Sequence, residues 1–191
     1  MEVRVVYTLA EAELRLEYHA RSSADTVCSM TNHVYWNLAG HDSGTIDGHR
    51  IAVPADCFLE TDGENIPTGR LVMLADTPLD LRTAVPMERV HADHTFLLAD
   101  SPRLHPAGRV EEPVSGRWLE VWTDYPAVQV FTADQMAASI GKGGARYGPR
   151  CGFCLETQHC PDAPNHPNFP SVFLRAGTEF YHETVWRFGT E

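Results

Sequence analysis

Residues 180–188 alternate with a period of two. Phe180, His182, Thr184, Trp186 and Phe188 fall on one side, and Glu179, Tyr181, Glu183, Val185 and Arg187 on the other. Successive side chains of a strand point to opposite faces, so this run reads as a strand with one face kept for a core. The same period recurs at Leu14, Leu16 and Tyr18 against Arg15, Glu17 and His19. No run longer than about ten residues carries a convincing helical period. The 13 prolines and 14 glycines lie between short apolar runs, as the turns of an all-β chain require. The expected fold class is therefore all-β, an antiparallel β-sandwich. With 191 residues and 43% hydrophobic content, the chain suffices for one domain with a full core, or for part of a larger one.

Extended runs are expected at residues 3–7 and 14–20, then along 27–38, 46–53, 57–59, 71–74, 96–98, 118–123, 128–132, 172–174 and 180–188. A hairpin-like excursion separates 96–98 from 118–123. The run 128–132 is expected to pair with 118–123 across Asp124-Tyr125-Pro126, and 172–174 with the final run about Ala176-Gly177-Thr178. Strand pattern begins at the second residue, so the sequence reads as though it opens partway through a sheet. Residues 141–148 are rich in glycine but lack the leading strand and following helix of a phosphate cradle, which makes them a flexible loop.

A formal net charge of −11, with no dense Lys/Arg cluster, argues against nucleic acid or an anionic membrane as partner. No apolar run approaches the ~20 residues of a membrane-spanning helix, and the N-terminus lacks the pattern of a signal peptide. Five cysteines, an odd number, suit a reducing cytoplasm better than a disulfide framework. Cys151 and Cys154 have CxxC spacing but would point to opposite faces of a strand, and Cys160 with His159 completes no zinc pattern. Neither a metal nor another cofactor is expected.

Chemistry is concentrated in two places. In Cys151-Gly152-Phe153-Cys154-Leu155-Glu156-Thr157-Gln158, the residues Phe153, Leu155 and Thr157 share one face. Glu156 and Gln158 share the other with Gly152 and Cys154, which are small enough to leave room above the sheet. Most strand carboxylates simply face water; the alternative for Glu156 is a general base. His33 stands among Thr31, Asn32, Tyr35, Trp36 and Asn37. A histidine taken alone is more often satisfied by backbone. Beside aromatic faces, with Asn32, Tyr35 and Trp36 to hold a sugar, it could instead give and take a proton, since a free imidazole titrates at about 6.5. Asp93, between the loop 84–92 and the strand starting at Phe96, is a turn former or an acceptor for two neighbouring hydroxyls. One acid and one base, His33 and Glu156, suffice for mutarotation, in which a sugar ring opens, turns about C1–C2 and recloses. A glycosidase-like carboxylate pair, Asp93 with Glu156, is open on the same residues.

Several segments, taken in order, resemble the aldose 1-epimerase (galactose mutarotase) family. They are Thr31-Asn32-His33 with Tyr35-Trp36-Asn37-Leu38-Ala39-Gly40; Ala55-Asp56 followed by Pro67-Thr68-Gly69; Asp93-His94 with Phe96; and Ser115-Gly116-Arg117 with Leu119-Glu120-Val121. Gly152 to Gln158, Pro161-Asp162-Ala163-Pro164-Asn165 and Phe169-Pro170 complete the series. The resemblance implies a galactose mutarotase-like β-sandwich as a single domain over 1–191, N-terminally truncated relative to the family. It implies His33 as general acid, Glu156 as general base and Asp93 as a sugar ligand, acting on a free hexose without a cofactor. Family members are longer at the N-terminus, where they supply an arginine and a second histidine that have no matched position here. Phe131-Thr132-Ala133-Asp134 stands where the family usually has aromatic-Thr-Gly-Asn. Two other readings follow from these departures: a non-catalytic carbohydrate-binding or regulatory protein, and a truncated domain that self-associates without activity. Open sheet edges would in either case favour a homo-oligomer.

Overall fold

The computed structural model of the chain describes residues 1–99 and 101–191. In chain order its strands are β1 Glu2–Ala10, β2 Glu13–Arg21, β3 Thr26–Val27, β4 Arg50–Ala52, β5 Cys57–Thr61, β6 Pro67–Met73, β7 Val85–Pro86 and β8 Asp93–Leu97. They continue as β9 His105–Glu112, β10 Arg117–Thr123, β11 Ala127–Phe131, β12 Ser139–Ile140, β13 Arg146–Tyr147, β14 Cys154–Gln158, β15 Phe173–Leu174 and β16 Glu179–Thr190. A seven-stranded sheet runs β1-β2-β16-β10-β9-β4-β7, and a five-stranded sheet runs β14-β11-β8-β5-β6. Every neighbouring pair is antiparallel.

The core lies between these sheets, and the period-two pattern explains which residues fill it. Leu16 and Tyr18 of β2, Leu119 and Val121 of β10, and Trp186 of β16 are buried from one side; Phe96 of β8, Val128 and Val130 of β11, and Leu155 of β14 are buried from the other. Burying a side chain of this size stabilises the fold by roughly 1.5–3 kcal/mol. Between β9 and β10 the register shifts after Val121, which faces Gly108 while Trp122 faces Pro106. Ala107 is the extra residue. Proline has no N–H to give a ladder, and a bulge is where an interior strand can hold one.

β1 differs from its neighbours. Val3, Val5, Tyr7 and Leu9 sit opposite Ala20, Tyr18, Leu16 and Leu14, so they lie on the core side of the sheet. All four are nevertheless exposed, Leu9 at 76%.

Several pairings differ from the sequence expectation. β11 pairs with β8 and β14 rather than with β10. The link between β10 and β11 looks like a hairpin turn, but Tyr125 within it is fully buried and stacks on His182 at 4.1 Å. Three extended residues span about 10 Å, the distance between packed sheets, so the link crosses the core instead of turning back. β15 pairs with β3, not with β16, which lies between β2 and β10. The excursion before β10 contains β9, its hairpin partner. Of the run 27–38 only Val27, the end of β3, lies in regular strand, with an isolated bridge from Trp36 to Phe153. Asp93 opens β8 rather than lying in a loop. The glycine-rich stretch holds a 3-10 turn at Lys142–Gly144 between the short strands β12 and β13.

Candidate active site

Three strands of the five-stranded sheet lay out the floor of the site. Val128, Val130 and Leu155 point into the core, so their neighbours along the chain must point outward. Register then sets two rows across the outer face. Glu156, Gln129 and Thr95 lie side by side in one, and Cys154, Phe131 and Asp93 in the next. His33 reaches over this floor from the segment beside β14, which the bridge between Trp36 and Phe153 fastens to the sheet.

His33 Nε2 lies 3.4 Å from Glu156 Oε1. The two side chains are unlike in setting, the imidazole 51% exposed and the carboxylate 10%. Burial pushes the Glu156 carboxyl above its usual range, against the pull of His33, and the charge of Asp93 adds to the rise. On its other edge, His33 Nδ1 lies 3.4 Å from Cys154 Sγ. Burial raises the Cys154 thiol, so it keeps its proton. Tyr35 and Phe131 flank the imidazole, their ring centroids 5.0 and 6.1 Å from it.

Asp93 accepts a 2.7 Å hydrogen bond from Gln129 Nε2 at Oδ1. Gln129 is in turn held by the Thr95 hydroxyl. His33, Glu156, Asp93, Gln129 and Phe131 line one cavity of about 260 Å³, together with residues that include Asn65 and Gln158. No lysine or arginine lines it.

The sequence-expected residues separate into two groups. His33, Glu156 and Asp93 come together around this cavity, and Tyr35 stands at its rim, lining the adjoining clefts. Asn32 and Trp36 do not line it. Asn32 is buried and donates to the Thr157 hydroxyl, on the core side of β14. Trp36 packs edge-on against Trp186 at 5.4 Å and tilted against Phe188 at the same distance, anchoring the segment that carries His33. Gln129 and Thr95 were missing from the sequence reading. Their signal is the strand pairing, which places them beside Glu156 and which the sequence does not display.

The turn after Phe131 also departs from expectation in a definite way. Ala133 has φ of +55°, a left-handed conformation that glycine adopts without penalty and alanine at roughly 1 kcal/mol. Asp134 next to it accepts from His91 Nδ1 at 2.6 Å and Arg150 Nη1 at 3.0 Å. Burial opposes its ionisation, but these donors and the Thr132 hydroxyl outweigh it, and the carboxyl lies below its ordinary value. Asp134 is thus engaged in holding the loop.

The fold is thus an antiparallel sandwich that holds an imidazole and a buried carboxylate together over an open polar cavity. The model of the Aldose 1-epimerase family matches residues 1–187. The chain is 42% identical over 196 residues to galactose mutarotase of Homo sapiens, a match covering 98% of this chain and 57% of that protein. It is 32% identical over 203 residues to aldose 1-epimerase of Escherichia coli, covering 98% and 58%. An aldose epimerase homologue from C. elegans superposes with a TM-score of 0.90 at 29% identity, over 98% of this chain and 59% of that one. Galactose 1-epimerase of Lactobacillus acidophilus shares the fold, with a TM-score of 0.82 at 21% identity, over 98% and 57%. The chain belongs to the aldose 1-epimerase family, and it spans a little over half the length of the curated relatives it matches.

Proposed function

We propose that this chain interconverts the α and β anomers of a free aldohexose, a glucose- or galactose-like sugar, without a cofactor. The observation that carries the reading is the 3.4 Å approach of His33 Nε2 to Glu156 Oε1 over the one cavity. The anomeric hydroxyl and the ring oxygen are both bonded to C1, so two proton-transfer groups this close can address them together. Glu156 takes the proton of the C1 hydroxyl as His33, protonated on both ring nitrogens, gives its Nε2 proton to the ring oxygen and becomes the neutral imidazole. The C1–O5 bond breaks and C1 becomes a carbonyl. After rotation about C1–C2 the proton transfers reverse, and the ring closes on the other face of the carbonyl. The buried carboxylate is a stronger base than one in water, and each positioned group contributes roughly 10²–10⁴-fold. Asp93, steadied by Gln129, accepts from sugar hydroxyls, while Tyr35 and Phe131 offer apolar faces to the ring.

No helix among the described residues is long and apolar enough to cross a membrane. A cytoplasmic site of action and a single mutarotase-like domain over 1–191 belong to this same reading. The test is polarimetry of freshly dissolved glucose or galactose. The wild-type chain is expected to hasten the change in rotation, and Glu156→Gln to abolish that gain while sugar binding persists. A wild-type rate equal to buffer would leave the carbohydrate-binding reading in its place.

The exposed core-side residues of β1 favour self-association in addition. Pairing of β1 with a second copy about a two-fold axis at Val6 sets Val5 against Tyr7 and Val3 against Leu9, covering both apolar stripes. Light scattering is expected to show a dimer, and a monodisperse monomer would overturn that part.

A further inference from the structure

Cys154 has no part in the proton transfers just described, yet it shares the outward face of β14 with Glu156 and, fully buried, touches His33. An imidazole nitrogen of His33, Cys154 Sγ and a Glu156 carboxylate oxygen all lie within 4.8 Å of one another. Among the described residues this is the one set of three metal-type donors that converges. We propose that His33, Cys154 and Glu156 form a binding site for a borderline-soft divalent cation of the zinc type, whose occupation blocks the proton-transfer pair. The binding half rests on the donors alone. The blocking half rests on the epimerase reading.

Three observations point to a cation. The first is donor chemistry. Nitrogen, thiolate and carboxylate oxygen are the ligands that zinc takes, at about 2.0–2.3 Å, and hard cations such as magnesium would not choose a thiol. In a tetrahedral site with these bond lengths, neighbouring donors stand roughly 3.3–3.7 Å apart. The two 3.4 Å approaches of His33 run from different ring nitrogens, Nε2 to Glu156 and Nδ1 to Cys154; with one donor atom from each residue the three lie within 4.8 Å, and rotation of the half-exposed imidazole closes the rest. Three protein ligands with the fourth position open to solvent is a common arrangement for this ion.

The second observation is an unmet need. Glu156 is only 8% exposed, and among the described residues no hydrogen bond to its carboxylate forms; it faces the cavity, with His33 Nε2 at 3.4 Å. Buried carboxylates are ordinarily satisfied. The third is charge. Glu156 and Asp93 line the cavity, and no lysine or arginine balances them there. A dication supplies what the protein withholds.

Binding replaces the thiol proton: the S–H bond breaks, the S–metal bond forms, and the proton leaves to solvent. Without a cation the buried thiol stays protonated and inert; with one, the local charge draws the proton off. The bound ion also occupies an imidazole lone pair and a carboxylate oxygen, the electron pairs that hold a proton on His33 before ring opening and on Glu156 after it. The CxxC pair Cys151 and Cys154 does not make this site, since Cys151 Sγ instead accepts from the Gly148 N–H. The donors come from positions far apart in the sequence, and contiguous spacing could not reveal them.

The test is titration of the chelator-stripped chain with Co²⁺, a spectroscopic stand-in for zinc. The expected result is a thiolate-to-cobalt charge-transfer band in the near ultraviolet, saturating at about one equivalent. Cys154→Ser is expected to lose the band, and Glu156→Gln to keep it while weakening binding by about tenfold. Wild-type protein without the band, or a band that survives in Cys154→Ser, overturns the site. Glu156→Gln also serves should the serine variant fail to fold, because unchanged cobalt affinity there would overturn the three-donor site. Zn²⁺ is then expected to suppress anomer interconversion, with EDTA restoring it, and undiminished turnover by the loaded chain overturns the blocking role. A chain that binds Co²⁺ as described but never hastens mutarotation sinks the epimerase reading and leaves the cation site standing.

Discussion

The two outer faces of the sandwich treat charge in opposite ways. On the seven-stranded sheet, Arg109 reaches Glu111, Glu120 and Glu191, each at 2.7 Å, and lies 4.9 Å over the Trp118 ring. Arg187 likewise meets Glu13 at 3.1 Å and lies 4.9 Å over Trp122. Glu13, Glu111 and Glu120 there each have a guanidinium. On the five-stranded sheet, Glu156 is more deeply buried and has no guanidinium at all. A saturated face is finished as it stands. A face that buries a carboxyl without a guanidinium holds it above its ordinary pKa, and such perturbed carboxyls gather at functional sites.

The largest expected effect follows from that contrast. Glu156→Gln should slow anomer interconversion by about 10³-fold and yet not lower the thermal midpoint at neutral pH. Burial raises the folded-state pKa of Glu156, so the folded form binds its proton more tightly than the unfolded chain does. The stabilisation this provides is full below the unfolded value and lost as pH rises through the folded one. At neutral pH the charged carboxylate is therefore a liability, and the neutral amide removes it. Thermal scans at pH 4 and pH 7 check this: the variant should gain on wild type as pH rises. A variant that melts lower at pH 7 would show that Glu156 is satisfied after all.

Two histidines sharpen the same comparison. His33 stands on the open face, half exposed, whereas His159 is 7% exposed among Tyr125, Phe180 and His182. Its Nδ1 has no partner. Burial, then the neighbouring His182, lowers the His159 pKa to about 4. A free histidine takes up its proton near pH 6.5, so the unfolded chain binds more protons than the folded one between these values. Stability should fall by about 3 kcal/mol as pH drops from 6.5 to 4. Denaturant unfolding at a series of pH values measures the slope, and His159→Gln should flatten it. An unchanged slope would place the acid sensitivity elsewhere.

A smaller effect is expected at Gln129, which sits opposite Glu156 in the strand pairing and holds the proposed sugar ligand. Gln129→Leu removes the 2.7 Å hydrogen bond that steadies Asp93. KM should rise about tenfold with kcat changed much less, as expected when binding common to ground and transition states is lost. A fall in kcat alone would mean that Gln129 acts on the reaction itself.

Much of this was legible from alternation. The faces of β2, β14 and β16 follow from period two, and the assignment of Phe153, Leu155 and Thr157 to the core side is what leaves Glu156 outward. Sheet membership was not legible. The Asp124-Tyr125-Pro126 link has the composition of a turn, and only the packing of Tyr125 between the layers sends β11 to the opposite sheet. From that one error the rest followed: with β11 placed beside β10, nothing could set Gln129 between Glu156 and Thr95. His33 and Glu156 were found by residue type and family resemblance. Cys154 is legible as a small neighbour of Glu156 and for its spacing from Cys151, but not as a partner of His33. Trp36 was read as a sugar platform because aromatic residues hold sugars, but its neighbours Trp186 and Phe188 make it a packing anchor.

The smallest effect is expected at Arg109, and its smallness is what the comparison needs. Its side chain is 30% exposed and its partners are 29–70% exposed, so water shares every one of these ion pairs. Exposed pairs contribute about 0–1 kcal/mol each, and removal of the cation leaves carboxylates that solvent can reach. Arg109→Ala should therefore cost about 1 kcal/mol, partly through lost packing on Trp118. The difference from wild type should shrink at high salt, where surface charges are screened. Anomer interconversion should be untouched, because the core separates this face from His33 and Glu156. A large loss of rate in Arg109→Ala would mean that the two faces communicate through the core, and the division into a finished face and a waiting one would no longer hold.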